Sequence, residues 1–422
     1  VTRLDRRQAL GLLASAPLAL RAGPPVGAQT RAGAQQRVSR SHSHGLLLAG
    51  GAIHLWHVAR VGDMADAVLG LGGTSVPPFT LARVPGLDDV VAMAAGQSCS
   101  FVVRADGTLL AWGLNGGNGR LGTTPPAFFD ERASWGPNAS VPTPLAVRFE
   151  AAAVSTQNNH ALALTRDGRV YAWGTGDKGQ LGLGAMPVIR FRTQSPRAMP
   201  YTPYPIAIPG LSGVAAVDAG YTHSLALITD GTVRAWGENR WGEVGDGTTI
   251  TRPAPVTVPG VRNAVAVAAG NHFSAVLLAD GTVMTWGNRF HGALGRTPAS
   301  DNQADPTPAL VPGVRGVRTI VAGSFHVLAL TEGGTIVSWG QPDFGALGRG
   351  DAVASAPAPV PRLAGVQSMA AEGETSFAVL ASGRIMTWGG DVRPWTRPPE
   401  EGSFDTISRR PILLWVDGLE QP

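Results

Sequence analysis

Tryptophan recurs at a nearly constant interval along this chain, and that recurrence restricts its fold more than any other feature. Trp56, Trp112, Trp173, Trp236, Trp286, Trp339 and Trp388 stand roughly 50 to 60 residues apart. Self-similarity at such a period marks a repeat architecture, in which no single unit can bury its apolar faces alone. All but the first are followed by glycine: Gly113, Gly174, Gly237, Gly287, Gly340 and Gly389. At 422 residues the chain would ordinarily be divided into two or three domains. The repeat replaces that division with one array of seven like units.

The clearest copy reads Val265 to Gly270, Asn271 to Leu278, Ala279-Asp280-Gly281, then Thr282 to Trp286. The first two runs are apolar and of strand length. Asp-Gly between two such runs is a strong hairpin signal and predicts a type I′ turn. It appears at Asp106-Gly107, Asp167-Gly168, Asp230-Gly231 and Asp280-Gly281; Gly50-Gly51, Gly333-Gly334 and Ser382-Gly383 stand in its place elsewhere. Each Trp-Gly leads into a glycine-rich loop such as Gly292-Ala-Leu-Gly295, then a proline-flanked segment such as Pro255 to Val258. Proline is tolerated on an edge strand, where a ladder donor is dispensable. The expected fold is therefore all-β: a seven-bladed β-propeller with four-stranded antiparallel blades. The repeated tryptophans read as core between blades, not as a binding box.

Composition narrows the function classes. Only 15% of residues are charged, with formal net charge +4. Arg3, Arg6, Arg7 and Arg21, set against Asp5, account for most of that excess; the rest holds 30 cations and 29 anions. A nearly neutral body lacks the electrostatic footprint of a nucleic-acid binder, so no nucleic-acid partner is expected. Cys99, the single cysteine, excludes an internal disulfide and reads as a buried, inert thiol. Residues 1–28 combine a basic start, an apolar run from Ala9 to Leu20 and a small-residue end, the pattern of a signal peptide. Arg6-Arg7 resembles the twin-arginine export signal, with cleavage expected after Ala28. Residues 29–36 form a linker, and 37–422 the propeller. The apolar run is too short for a membrane span, and export to the periplasm or medium is the expected localisation.

The order Ala-Gly-x-x-His-Ser-x-Ala-Leu, Asp-Gly-x-Val-x-x-Trp-Gly, Gly-x-Leu-Gly resembles the regulator-of-chromosome-condensation repeat. Gly220 to Leu227 followed by Asp230 to Gly237 matches it closely, and the resemblance spans about residues 37–420. It implies a seven-bladed propeller from a family that includes a nuclear guanine-nucleotide exchange factor, a plant ultraviolet photoreceptor and many bacterial proteins. The chain is also similar to a secreted β-lactamase-inhibitor propeller. Where the photoreceptor carries tryptophan after the turn glycine, this chain has Gln97, Asn158, Tyr221, Asn271 and Ser324, which argues against light sensing. The first copy departs most, with His57 after its tryptophan.

No nucleophile elbow, zinc-protease motif or phosphate loop is present, and neither catalysis nor a cofactor is expected. His44, His160, His223 and His326 recur at equivalent turns, which predicts a structural hydrogen bond to a neighbouring turn. His42, His44 and His54 are a weak candidate metal set. Three loops after Trp-Gly are expanded: Thr123 to Thr143, with Phe128, Phe129 and Trp135; Met186 to Tyr204, with Arg190, Phe191, Arg192, Tyr201 and Tyr204; and Asp391 to Arg409, with Trp395 and Phe404. Insertions in repeat arrays gather on one face, often the binding face, and aromatic and arginine side chains are typical anchors there. The expected function is thus a monomeric exported scaffold that binds a protein through these loops, a cell-wall polymer being the other ligand class. A hydrolase or lyase with an axial pocket, or an exchange-type regulator, are the competing readings.

Overall fold

The computed structural model describes residues 37–40, 44–57, 69–74, 76–77, 80–115, 119–123, 140–184, 201–296, 303–350, 355–390 and 408–413. They form seven four-stranded antiparallel sheets, each built from strands consecutive in the chain. Blades 1 to 7 occupy residues 37–83, 90–150, 153–207, 214–257, 264–310, 317–359 and 366–413. Blade 4 is representative, with strands Val214–Ala219, His223–Ile228, Val233–Gly237 and Arg252–Thr257 from the axis outward. First strands are rich in alanine and valine, because small side chains fit the crowded axis. The proline-bearing fourth strands lie at the rim.

All seven repeat tryptophans are fully buried. Each packs against the preceding blade: Trp173 lies among Ala92, Phe101 and Leu121 of blade 2, and Trp286 among Leu225, Val233 and Val244 of blade 4. The indole N–H reaches the preceding blade's glycine-rich loop: Trp173, Trp236, Trp286, Trp339 and Trp388 donate to the carbonyls of Arg120, Gln180, Glu243, Ala293 and Ala346. The indole thus buries a large apolar surface while its one donor stays satisfied. Trp56 packs against Phe377, Val379 and Ile385 of blade 7, which closes the wheel without exchanging a strand between termini.

Turn geometry differs from expectation. Only Gly50-Gly51 has both central residues at positive φ, as a type I′ turn requires. In the Asp-Gly turns the glycine alone is left-handed. In blade 4, Gly231 N–H bonds Ile228 C=O and Ile228 N–H bonds Thr232 C=O. That is a three-residue loop, a type I turn closed by a left-handed glycine. The aspartate serves as a side-chain cap: Asp230 and Asp280 accept from the N–H and hydroxyl of Thr232 and Thr282. Turn glycines also offer their carbonyls to the first strand of the next blade, as Gly168 does to Val214, Gly231 to Ala264 and Gly281 to Val317. Asp-Gly turns therefore lock blade to blade on one face of the wheel.

The expanded loops are shorter than the sequence suggested, because fourth strands begin at Ser140, Tyr201 and Ser408. Tyr201 and Tyr204 belong to a rim strand, with Tyr201 paired to Thr175. The run Tyr-Thr-Pro-Tyr-Pro has the composition of a loop, but edge pairing tolerates its prolines.

Candidate functional site

Strand direction divides the wheel into two faces. Second-to-third strand turns lie on one, and first-to-second turns with third-to-fourth loops on the other. The latter is called the upper face here. Third strands reach it at Trp-Gly, where Gly113, Gly237, Gly287, Gly340 and Gly389 adopt φ between 108° and 112°. A Cβ on Gly237 would stand 2.6 Å from the Thr222 carbonyl, so this crossing requires glycine.

The recurring histidines sit beneath the upper face and are structural. Nε2 of His44, His160, His223 and His326 lies 2.6, 2.9, 3.0 and 2.8 Å from the hydroxyls of Ser100, Ser224, Ser274 and Ser376. The partner is a serine on the second strand of the next blade, not a turn as expected. Ser224, Ser274 and Ser376 spend their single proton on the loop carbonyls of Gln180, Glu243 and Ala346. The imidazole Nε2 must therefore be the donor, which fixes the neutral tautomer. Burial holds His160, His223 and His326 at about 4, 3 and 4, far below the ordinary histidine range. Cys99 takes the histidine place in blade 2, and burial pushes its thiol up to about 11.

The candidate metal set is only partly described. His44 commits Nε2 to Ser100, His42 lies outside the described residues, and no group of three His, Cys, Asp or Glu could hold an ion among the described residues. Among the same residues no helix is long and apolar enough to cross a membrane.

First strands of all seven blades enclose an axial cavity of about 250 Å³. Asp218 lines it, and burial raises its carboxyl to about 6. Both its oxygens are engaged, Oδ1 by the Ser155 hydroxyl and Oδ2 by the Ala269 N–H. Asp218 thus ties blades 3, 4 and 5 together at the axis instead of pointing reactive oxygen into the cavity.

The upper face is chemically richer. Ring contacts run continuously from blade 4 to blade 6: Tyr221 to His272 at 6.0 Å, His272 to Phe325 at 6.4 Å, Phe325 to His291 at 5.4 Å and His291 to Phe290 at 3.6 Å. Tyr221, Phe290 and Phe344 are exposed. His272 Nδ1 faces Glu243 Oε1 at 3.5 Å and His291 Nδ1 faces Asp343 Oδ2 at 4.0 Å. Glu243 is wholly buried, and its Oε1 has no hydrogen-bond donor. Two loop residues, His291 and Phe344, hold φ of 58° and 57°, a left-handed conformation costing about 1–2 kcal/mol for an L side chain. Strain of this kind clusters at functional sites. Nothing in the sequence marks this arc, because its members lie in loops of ordinary length and, Phe290 and His291 aside, meet across blades. The residues it favoured, Phe128, Phe129, Trp135, Arg190, Phe191, Arg192, Trp395 and Phe404, lie outside the described residues.

Comparison with known proteins fits this architecture. Schizosaccharomyces pombe protein pim1 is 33% identical over 216 residues, 47% of this chain and 38% of that protein. The guanine nucleotide exchange factor SRM1 of Saccharomyces cerevisiae is 27% identical over 281 residues, 62% of this chain and 55% of the relative. The chain therefore spans about half or less of these curated relatives. Among solved structures, human WBSCR16 superposes with a TM-score of 0.67 at 21% identity, covering 83% of this chain and 92% of that one. Yeast RCC1 (Prp20), solved bound to Kap60, gives 0.69 at 20% identity, covering 92% and 88%. At such identity the structural likeness speaks for the fold. The RCC1-like domain model matches residues 57–393, and the chain belongs to that family.

Proposed function

We propose that the protein is a binding scaffold that docks a protein partner on the upper face of the wheel. One observation carries this reading: a continuous arc of aromatic and imidazole rings is held at the surface there, with His291 of the arc and the exposed Phe344 of the next blade's loop both in strained backbone. Exposed rings gathered in one place are an interaction signature, whereas scattered ones are not. The segments bearing Phe129, Trp135, Arg190, Phe191, Trp395 and Phe404 join third strands that end at this same face, and we assign them to the same docking role. The Arg6-Arg7 pair and the apolar run behind it support an exported protein. Cell fractionation tests that part; uncleaved protein confined to the cytoplasm contradicts it.

Docking is tested by affinity capture from the envelope and medium of the producing organism. The bait is the native chain, or a variant combining Tyr221→Ala, Phe290→Ala and Phe344→Gly. Capture should be lost with an unchanged melting curve; undiminished capture contradicts the reading. A second reading, guanine-nucleotide exchange on a partner GTPase, is favoured by the relative named as an exchange factor. Acceleration of labelled-nucleotide release from a GTPase would support it.

A further inference from the structure

Repetition of one turn makes each departure visible on the Asp-Gly face. The connections into blades 2, 4, 5 and 6 read Pro85-Gly86, Pro209-Gly210, Pro259-Gly260 and Pro312-Gly313. Each of these glycines is left-handed, with φ of 68° to 78°, and a Cβ there would meet open space. The connection into blade 7 reads Pro361-Arg362, and Arg362 keeps the left-handed backbone at φ 59°. That conformation disfavours an L side chain, and glycine would adopt it freely. Packing does not account for the exchange. Arg362 is exposed, and among the described residues its guanidinium has no hydrogen-bond or ion-pair partner. Backbone strain held for an unpaired surface cation points to a use outside the fold.

Charge on this face is sorted by sector. Blades 2 to 5 carry a turn aspartate, Asp106, Asp167, Asp230 or Asp280, whereas blades 6 and 7 have Gly333 and Ser382 in that place. Blade 7 also has Arg384 where blades 4 and 5 have Thr232 and Thr282. Its turn is tied to its entry, since the Ala381 N–H donates to the Gly365 carbonyl, so Arg384 and Arg362 share one corner of the wheel. Arg315 and Arg318 stand at the entry to blade 6. Arg318 donates to the Val366 and Gln367 carbonyls, neutral partners that leave its charge uncompensated. Arg315 has Asp280 within electrostatic reach. Glu332 is the one exposed carboxylate of this sector among the described residues. The arginines of blades 1 to 3 are instead paired, Arg83 with Asp88, Arg104 with Asp89 and Arg169 with Asp167.

We propose that blades 6 and 7 form a second docking surface on the Asp-Gly face, which takes an acidic segment of another protein through Arg362 and Arg384, with Arg315 beside them. A guanidinium fork matches a carboxylate with two parallel bonds. The confinement of free cations to one sector selects a linear acidic segment. An anionic bilayer, being flat, would also meet the turn aspartates of blades 2 to 5. A nucleic-acid strand would find no ring to stack on, because no large apolar side chain is exposed in this sector among the described residues. The surface lies opposite the aromatic arc and does not depend on it, so the wheel can join two proteins, one on each face.

The test titrates the full chain by NMR with the peptide acetyl-Gly-Glu-Glu-Gly-Glu-Glu-Gly-amide and with its glutamine counterpart. The glutamate peptide should bind about fivefold more tightly, moving amide signals at residues 315–318, 362–366 and 382–384. Arg362→Gly and Arg384→Gln should each weaken it about threefold. Arg362→Gly should also melt no lower than the native chain, because glycine suits that backbone. Arg240→Gln removes the same charge from the upper face and should change nothing. The variant combining Tyr221→Ala, Phe290→Ala and Phe344→Gly should bind the peptide as the native chain does, which keeps this surface separate from docking on the arc. Equal binding of the two peptides, binding of neither, signals moving only elsewhere, or indifference to Arg362→Gly and Arg384→Gln overturns the proposal. Stronger binding to phosphatidylglycerol vesicles or to oligothymidine, at equal anion concentration, overturns it as well.

Discussion

Histidine and serine pair across blades in a pattern that single residues explain. Where the second strand of one blade begins with His44, His160, His223 or His326, the next blade supplies Ser100, Ser224, Ser274 or Ser376. Where the histidine place holds Cys99, Phe273 or Thr375, the serine place of the following blade holds Ala161, Val327 or Gly45. The two positions change together because a buried imidazole N–H without an acceptor is costly, while an apolar pair is not. Ser274→Val should cost about 1–3 kcal/mol by leaving the His223 donor unmet. His223→Phe with Ser274→Val should cost less than the two single changes summed, since Phe273 and Val327 already occupy these places one blade on. Denaturant unfolding of the four proteins checks this.

The same histidines set an acid response. Their folded values lie near 3 to 4, and the unfolded chain takes up protons near 6.5. Their stabilising contribution is complete above pH 6.5 and is lost as pH falls toward 4, at up to about 1.4 kcal/mol per pH unit for each. Asp218 works in the opposite direction, since its folded value of about 6 exceeds the unfolded 3.8 and favours the fold as pH drops between them. Three groups outweigh one, so the melting temperature should fall between pH 6.5 and 4. The His223→Phe, Ser274→Val pair should flatten that fall.

At the level of strands and turns, glycine does two different jobs at similar φ. Gly260 (φ 78°) faces open space, whereas Gly237 (φ 108°) presses on the Thr222 carbonyl. Gly260→Ala should cost about 1–2 kcal/mol from backbone strain alone. Gly237→Ala should cost about 3–5 kcal/mol, because overpacking adds to that strain. Thermal melts of the two variants separate the terms. These strands were legible in the sequence because an apolar period of two, Asp-Gly and Trp-Gly all punctuate the same unit. The type I′ assignment failed because Asp-Gly fits both a two-residue turn and the last two positions of a three-residue one, and only the backbone hydrogen bonds decide. Tyr201 and Tyr204 were misplaced because proline marks loops and rim strands alike. The arc on the upper face was illegible for another reason: Tyr221, His272, Phe325 and His291 meet through the rotation from blade to blade, which no linear spacing encodes.

For the whole wheel, the junction of blades 7 and 1 is the one where no chain crosses between neighbouring blades; among the described residues Trp56 packs there against Phe377, Val379 and Ile385. Thr375 and Gly45 replace the histidine–serine clasp there. Native-state hydrogen exchange should therefore open blades 1 and 7 before blades 4 and 5, whose interface has both the clasp and a chain crossing. Uniform protection around the ring would contradict this ordering. The central claim concerns the opposite property of the wheel, that its rigid middle blades present one face to a partner. Hydrogen exchange of the captured complex against the free chain measures this directly. The account predicts new protection at residues 221–222, 271–272, 290–291, 324–325 and 343–344, with none at the Asp-Gly turns 230–231 and 280–281. Protection confined to those Asp-Gly turns, with the upper face unchanged, would contradict it.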